Sequence, residues 1–533
     1  MVSSAARPIS RTVKPRKWYR RLAIAVMTAL VSIAPLLYGS NVEHVVFSNV
    51  PSMETLLSTS TTGSGTDRRG NESSGHPKID DDEPLNIVLF YADDWTMNVL
   101  GKLNKYVYTP NIDEMADNGI LFTNNCVTTS VCWMSRATML TGTYASRHRF
   151  QFPKTETLFT THPWNETLFP LLKSNGYYTG IVGKWHAPRP QPQMDMAFNF
   201  TMPYYGHHWL YRGDELRHIT DLNLQDSLEF LNERPLDMPF ALVVSFFATH
   251  AWDENTPQYC PKNETTARYY NNVTIPTPKA NSRLHWMLLP HFFRSTNEAR
   301  TRYMGRFDPP NFQENIKNLY RMATEVDHAV GRIIDELKRQ DVYNKTMLIF
   351  TTDNGNMHGE HGLAEKWYPF EESIRVPLII VDPRMHTSQH GTRNDEFTLN
   401  IDLAPTIMGA AKIQPSDFMQ GRDIANLYLN EKGDDVKWRQ DWFYEYNRGD
   451  PITAADHKGK FWIDASFALV TKEWKYIFWP NHEYEQIFHR STDPFEERDL
   501  LNKSRIHPTD EIYLKLHARY TFLKKWVQSG KRV

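Results

Sequence analysis

Five short runs of this chain are apolar without alternation: residues 87–91 (IVLFY), 179–182 (TGIV), 240–247 (FALVVSFF), 347–350 (MLIF) and 376–381 (VPLIIV). Four to eight residues are too few for a core helix, and a strand with one wet face would alternate polar and apolar side chains. Such runs belong to strands covered on both faces, as in a mainly parallel sheet between helical layers. Helical patterns lie between them. Residues 111–118 open on a capping Asn and are followed by Gly119. Met322, Val326, Val330, Ile333, Ile334 and Leu337 mark one face of a long helix ending near Arg339. The alternation predicts the α/β class, with a large doubly wound, mixed but mostly parallel sheet.

Polar clusters close the first four of these runs. Asp93-Asp94 comes after the first, Gly183-Lys184-Trp185-His186 after the second, Thr249-His250 after the third and Asp353-Asn354-Gly355 after the fourth. In open α/β sheets ligands sit at the carboxyl ends of the strands, so these clusters are expected to converge in one cleft. Each alone has a bland reading, since acids cap helices, GK and DNG make turns, and a single His is usually structural. Their recurrence at equivalent positions is what the bland readings fail to explain. Asp93, Asp94, Asp353 and Asn354 offer hard oxygen donors, which suit Ca²⁺ or Mg²⁺ and not zinc. Arg136, Lys184, His186, His250 and Lys366 add cationic or proton-carrying groups. A divalent ion ringed by such groups suits a tetrahedral anion, phosphate or sulfate. Candidate nucleophiles lie in residues 130–138 (SVCWMSRAT), before an apparent helix whose amino terminus favours an anion.

The stretch Cys132-x-x-Ser135-Arg136, followed by Leu140-Thr141-Gly142-Thr143-Tyr144, resembles the signature of the type I sulfatases of the alkaline phosphatase-like superfamily. NIVLFYADD, GYYTGIVGKWH, TTDNG with GEHGL and Lys366, EESIRVPLIIVDPR and DLAPTIMGAAKIQPSDFMQGRDI are similar to sulfatase blocks in the family's order. The resemblance implies that Cys132 is oxidised to formylglycine by the formylglycine-generating enzyme before folding. One hydroxyl of the hydrated aldehyde then attacks sulfur, and the other helps eliminate sulfate. It further implies that Asp93, Asp94, Asp353, Asn354 and the modified residue 132 hold one Ca²⁺. Arg136 would stabilise the hydrated aldehyde, Lys184 and Lys366 would neutralise the sulfate oxygens, His250 would protonate or orient the leaving oxygen, and His186 would hydrogen-bond a hydroxyl of the hydrate and assist elimination. The family pattern has Pro or Ala two residues after the cysteine, where this chain has Met134. The modifying enzyme reads that stretch as an extended peptide, so Met134 bears on conversion.

The amino terminus carries an address. Residues 1–21 hold seven basic residues and no acid, a basic cytosolic tail; residues 22–39 contain an uncharged apolar run (LAIAVMTALVSIAPLLY). A spanning helix needs about 17–25 such residues, so the run reads as a signal-anchor of a single-pass type II membrane protein, with a cleaved signal peptide as the competitor. Residues 40–84 read as a disordered stem. Asn71, Asn165, Asn199, Asn263, Asn272, Asn344 and Asn502 head glycosylation sequons, in keeping with a body in the secretory pathway. Beyond residue 21 the chain carries 53 basic against 62 acidic residues, which excludes a broad affinity for nucleic acid. Three cysteines, Cys126, Cys132 and Cys260, cannot make a disulfide framework; a Cys126–Cys260 pair competes with two ordinary thiols.

Residues 85–430 are expected to form the catalytic domain. Residues 431–533 are expected to form a smaller subdomain of short antiparallel strands and a closing amphipathic helix over 511–527. The aromatic run 204–211, with His207 and His208, either lines the cleft or packs as an insertion, and Asp253, Glu254 and Tyr303 face the same choice. The expected activity is release of sulfate from a carbohydrate sulfate ester. The alternatives are a phosphate mono- or diesterase of the same superfamily and, if Cys132 stays a thiol, a catalytically weak glycan-binding relative.

Overall fold

The computed structural model describes residues 83–150, 163–186, 191–294, 297–429, 437–447, 463–502 and 505–529. The expected basic tail, the apolar segment 22–39 and all but the last two residues of the stem lie outside them. Among the described residues no helix is long and apolar enough to cross a membrane.

The central sheet has eight strands: β1 (Asn86–Ala92), β2 (Ile120–Phe122), β3 (Tyr178–Gly183), β4 (Phe200–Pro203), β5 (Phe240–Ser245), β6 (Thr346–Thr352), β7 (Leu378–Val381) and β8 (Thr392–Asn394). Their order is β8-β2-β7-β6-β1-β5-β3-β4, and β7 alone runs against its neighbours. All five apolar runs are strands of this sheet. Their lack of alternation has a direct cause, because odd and even positions serve two different cores. Val88, Phe90, Leu242, Val244, Leu348 and Phe350 pack with Leu319, Met322, Val326, Val330 and Ile333. Ile87, Leu89, Ala241, Val243, Met347 and Ile349 pack on the other face with Leu140, Leu403 and Ile407.

The helices that matter here are α1 (Pro110–Asn118), α2 (Cys132–Thr141), α3 (Glu298–Arg306), α4 (Phe312–Arg339), α5 (Leu403–Ala410) and α6 (Glu511–Ser529). Two details at α1 differ from expectation. The helix begins at Pro110, and the Asn111 amide donates to Asp327 Oδ2 of α4 at 2.7 Å instead of capping. Gly119 has an extended backbone (φ −135°), not a left-handed cap; a Cβ there would lie 2.2 Å from the Ile380 carbonyl oxygen, so the residue allows β7 to approach.

Near the carboxyl end, β9 (Asp441–Tyr446), β10 (Ser466–Thr471), β11 (Trp474–Trp479) and β12 (Tyr484–His489) form an antiparallel meander. Leu516, Tyr520, Leu523 and Val527 of α6 are buried in the same core as this sheet. That core extends into the main domain through Val131, Met134, Tyr368 and Phe370. Lys475 of β11 is fully buried at the junction. Its ammonium donates to Glu371 Oε1 at 2.8 Å and the Pro369 carbonyl at 2.9 Å, and pairs with Glu496. Removing one partner of a buried ion pair strands the other charge, so Lys475→Met is expected to destabilise the protein by about 3–5 kcal/mol. The exposed pair of Lys472 with Glu396 is worth roughly 0–1 kcal/mol. Urea denaturation of Lys475→Met and Lys472→Met side by side checks this, and equal effects would refute it.

Candidate active site

Strands β6, β1, β5 and β3 are adjacent and parallel, so their carboxyl ends share one edge of the sheet. All four expected clusters meet there. Asp93, Asp94, Asp353 and Asn354 are completely buried, and Lys184 and Lys366 nearly so. Cys132 is the first residue of α2, also buried, which sets its side chain at a helix amino terminus with Arg136 one turn on.

Arg136 is the most heavily fixed group. Its Nε donates to Asp353 Oδ2 at 2.8 Å, Nη2 lies 2.7 Å from the same oxygen, and Nη1 donates to the Lys184 carbonyl at 3.0 Å and to Ser245 Oγ. The guanidinium lies over the Tyr91 ring, 4.9 Å from its centroid. Lys184 pairs with Asp93 Oδ2, and Lys366 with Asp94 Oδ1. Asp94 also accepts from the amides of Asn354 (2.6 Å) and Asn356 (3.2 Å). Three carboxylates therefore face three permanent cations, and the cluster is neutral. Burial works against the charge of both lysines, but Asp93 and Asp94 outweigh it and hold their ammonium groups above the usual range.

The histidines behave oppositely. His250 Nε2 lies 3.6 Å from Asp94 Oδ2, while its Nδ1–H donates to the Ala251 carbonyl at 2.7 Å. Burial, then the charges of Lys366 and Lys184, push its pKa well below the usual value. His186 is pushed down by burial and by Lys184, and its ring sits 4.5 Å from that of Tyr205. Both rings are neutral. Burial pushes the Cys132 thiol up although Lys184 and Lys366 pull it down, so the unmodified residue is a poor nucleophile.

Two buried oxygens accept no hydrogen bond: Asp93 Oδ1 and Asn354 Oδ1. Burying an acceptor unpaired is costly. Burial, then the charge of Asp353, push the Asp93 carboxyl up to about 7 against the opposing pull of Lys184. Orphaned hard oxygens on an amide and a carboxylate, beside the Asp94 and Asp353 carboxylates, fit a hard divalent cation. Asp93, Asp94 and His250 also bring one ligand-type atom each within 4.8 Å of one another.

Several supporting residues are not evident in the sequence. Ser245 anchors Arg136, and Asn400 donates to Ser135 Oγ at 2.8 Å. Glu365 pairs with Arg302 (2.9 Å) and Arg306 of α3, and the same arginines reach Asp253 at 2.8 and 2.6 Å. Among the supports only Asn356 carries a signal, two positions past Asn354. Of the ambiguous residues, His208 and Tyr303 are packed. His208 is buried and its Nε2 donates to the His250 carbonyl at 2.9 Å; Tyr303 Oη donates to Asn281 at 2.8 Å; His207 and Glu254 are exposed. All three cysteines are free thiols, so the Cys126–Cys260 pair is absent.

The fold, with a buried set of cations and hard oxygens at its strand ends, fits the alkaline phosphatase-like class. The sulfatase family model matches residues 85–413, and a model for the carboxyl-terminal part of N-sulphoglucosamine sulphohydrolase matches residues 359–525. The chain belongs to the sulfatase family and is a sulfuric ester hydrolase. It is 22% identical over 501 residues to an N-acetylglucosamine-6-O-sulfatase of Bacteroides thetaiotaomicron, covering 81% of this chain and 85% of that one. It is 25% identical over 483 residues to an arylsulfatase of Clostridium perfringens, covering 81% and 94%. A solved structure in complex with D-glucosamine-2-N,6-O-disulfate shares the fold, with a TM-score of 0.67 at 20% identity, covering 84% of this chain and 99% of that one.

If Asp93 and Asn354 hold a divalent ion, adding CaCl₂ to chelator-treated protein will raise its unfolding temperature. Calcium at 100 times Kd corresponds to about 2.7 kcal/mol. Asp93→Asn and Asn354→Leu should each remove most of that gain in a thermal-shift titration; an undiminished gain would place the ion elsewhere.

Proposed function

We propose that the enzyme releases sulfate from sulfated carbohydrates, with Cys132 converted to formylglycine and one Ca²⁺ held by Asp93, Asp94, Asp353, Asn354 and residue 132. The observation that carries the proposal is the position of residue 132, buried at the amino terminus of α2 and one turn before Arg136, whose guanidinium is bonded to Asp353 and to the Lys184 carbonyl. In this reading the ion and the aldehyde supply a Lewis acid and a hydrated nucleophile beside sulfur. The chain's own groups do the rest. Lys184 and Lys366 hold sulfate oxygens, and charge fixed before the reaction stabilises the transition state without reorganisation. Arg136, locked by Asp353, Ser245 and the Lys184 carbonyl, orients residue 132. With Nδ1–H given to Ala251, His250 presents Nε2, unprotonated at rest, to the site, where it orients the leaving oxygen or passes to it a proton taken from the attacking hydroxyl of residue 132. His186, neutral by burial and neighbouring cations, hydrogen-bonds a hydroxyl of residue 132 and assists elimination.

The relatives support a sulfated amino sugar as substrate, since one is an N-acetylglucosamine-6-O-sulfatase and the aligned structure holds a glucosamine disulfate. We propose a terminal residue of this kind, because the net acidic body has no long Lys/Arg run in its sequence to grip a heavily sulfated polymer. We also propose that residues 85–430 and 431–533 act as catalytic domain and subdomain, and that the body is lumenal or extracellular behind the segment 22–39. The asparagines of all six sequons among the described residues are exposed, which supports that location.

The test is sulfate release, followed by ion chromatography, from 6-sulfated and N-sulfated glucosamine, matched phosphate esters and sulfated polysaccharides, with mass spectrometry of the peptide containing residue 132. Release from the amino-sugar sulfates by protein carrying formylglycine is expected. A thiol-only peptide, or turnover of phosphate esters alone, would overturn the reading. His250→Gln should then lower kcat by about 10²–10⁴ with conversion of Cys132 unchanged, as for a lost general acid; an unaltered kcat would remove His250 from the proton transfer.

A further inference from the structure

Lys366 sits between two non-glycine residues in the left-handed region, Glu365 (φ 75°) and Trp367 (φ 80°). Backbone of this kind persists only where the surroundings over-determine it. On the Glu365 side the surroundings are the two α3 arginines and Asn356, which accepts the Glu365 N–H at 3.0 Å. On the Trp367 side they come from the carboxyl-terminal sheet. Tyr444 of β9 places its hydroxyl 2.9 Å from the Trp367 carbonyl and 2.7 Å from Ser130 Oγ, and the Trp367 N–H donates to the Ser130 carbonyl at 3.2 Å. A carbonyl only accepts and a phenol carries one proton, so Tyr444 donates to Trp367 and accepts from Ser130, whose hydroxyl shares its proton between Tyr444 at 2.7 Å and the more distant Tyr368 carbonyl at 3.4 Å.

Ser130 is two residues before Cys132, and Trp367 directly follows Lys366. One hydroxyl thus ties the loop of the nucleophile precursor to the loop of a sulfate-binding cation. Ser130 and Tyr444 are completely buried, so water does not compete for these bonds. We propose that Tyr444 is a positioning residue for the reaction. Through Ser130 and Trp367 it sets the distance and angle between residue 132 and the Lys366 ammonium, without touching substrate or metal. The carboxyl-terminal sheet is on this account a working part of the active site. The proposal rests on the roles given above to residue 132 and Lys366.

Tyr444→Phe, Ser130→Ala and the double variant test it in the full chain, with Tyr476→Phe as control. The Tyr476 hydroxyl, in the same meander, donates to Glu485 at 2.7 Å and lies on no path to the site. Hydrolysis of 4-nitrocatechol sulfate is measured per molecule of converted residue 132, counted by mass spectrometry, together with inhibition by inorganic sulfate and the unfolding temperature. Because small misplacements of reacting groups have large rate effects, Tyr444→Phe is expected to lower kcat/KM by about 10–100-fold and to weaken sulfate inhibition. Ser130→Ala should do the same more mildly, and the double variant should be no worse than Tyr444→Phe. Tyr476→Phe should keep wild-type kcat/KM whatever its unfolding temperature. Unchanged kcat/KM and sulfate inhibition in Tyr444→Phe, or losses that add fully in the double variant, would overturn the proposal. A wild-type enzyme that carries formylglycine yet releases no sulfate would instead overturn the reading beneath it.

Discussion

The cancellation of charge at the carboxyl ends of β6, β1, β5 and β3 is the constraint on which the rest of the structure depends. Three carboxylates and three cations are taken out of water there. Desolvating each ion costs several kcal/mol, recovered only where partners are close and remaining donors and acceptors are satisfied. The surroundings meet that condition almost everywhere: Asn354 and Asn356 feed Asp94, and Ser245 and the Lys184 carbonyl take up the rest of Arg136. They fail at Asp93 Oδ1 and Asn354 Oδ1. Those two oxygens fit the cation proposed above. With a dication added, the cluster turns from neutral to about +2, the sign a sulfate ester requires.

Holding that cluster together shapes distant parts of the chain. Asp94 adopts a left-handed backbone (φ 54°) directly after a regular strand, and Glu365 and Trp367 do so on either side of Lys366. Each costs roughly 1–3 kcal/mol, and each is opposed by directed bonds: Asn356 and Lys366 on Asp94, Arg302 and Arg306 on Glu365, Tyr444 on Trp367. This explains why α3 and the carboxyl-terminal meander pack where they do. They supply the buried arginines and the phenol without which the site loops have easier conformations available.

How much of this could be read from the sequence depends on where each signal is stored. A strand covered on both faces writes its burial into consecutive residues, so β1, β3, β5, β6 and β7 were legible; β2 and β8, at three residues, are too short to carry a pattern, and β4, at the sheet edge, is largely uncovered. Site residues just past such strands inherited their legibility, because the end of an apolar run fixes its place at the sheet edge. The supports were invisible for the converse reason. Tyr444 reads as one more aromatic of an antiparallel strand, and Arg302 and Arg306 as charges on a helix rich in both signs; their meaning lies in partners far off in sequence. Gly119 misled differently. A glycine after a helix suggests a cap by local rules, whereas the constraint on it comes from the Ile380 carbonyl of a strand some 260 residues later.

The acidic balance of the body and the cationic site are parts of one design. A surface with excess positive charge would gather polyanions of every kind, and the long-range field would add affinity without discrimination. Here Arg136, Lys184 and Lys366 are buried among carboxylates, so their field is spent within a few ångströms and reaches only a group that enters the cleft. On the proposed reading, selectivity depends on whether the sulfate oxygens fit between residue 132 and the two ammonium groups, a matter of distances that the packed loops hold fixed. Net negative charge outside the cleft and paired charges inside it leave recognition to short-range contacts and not to a long-range field.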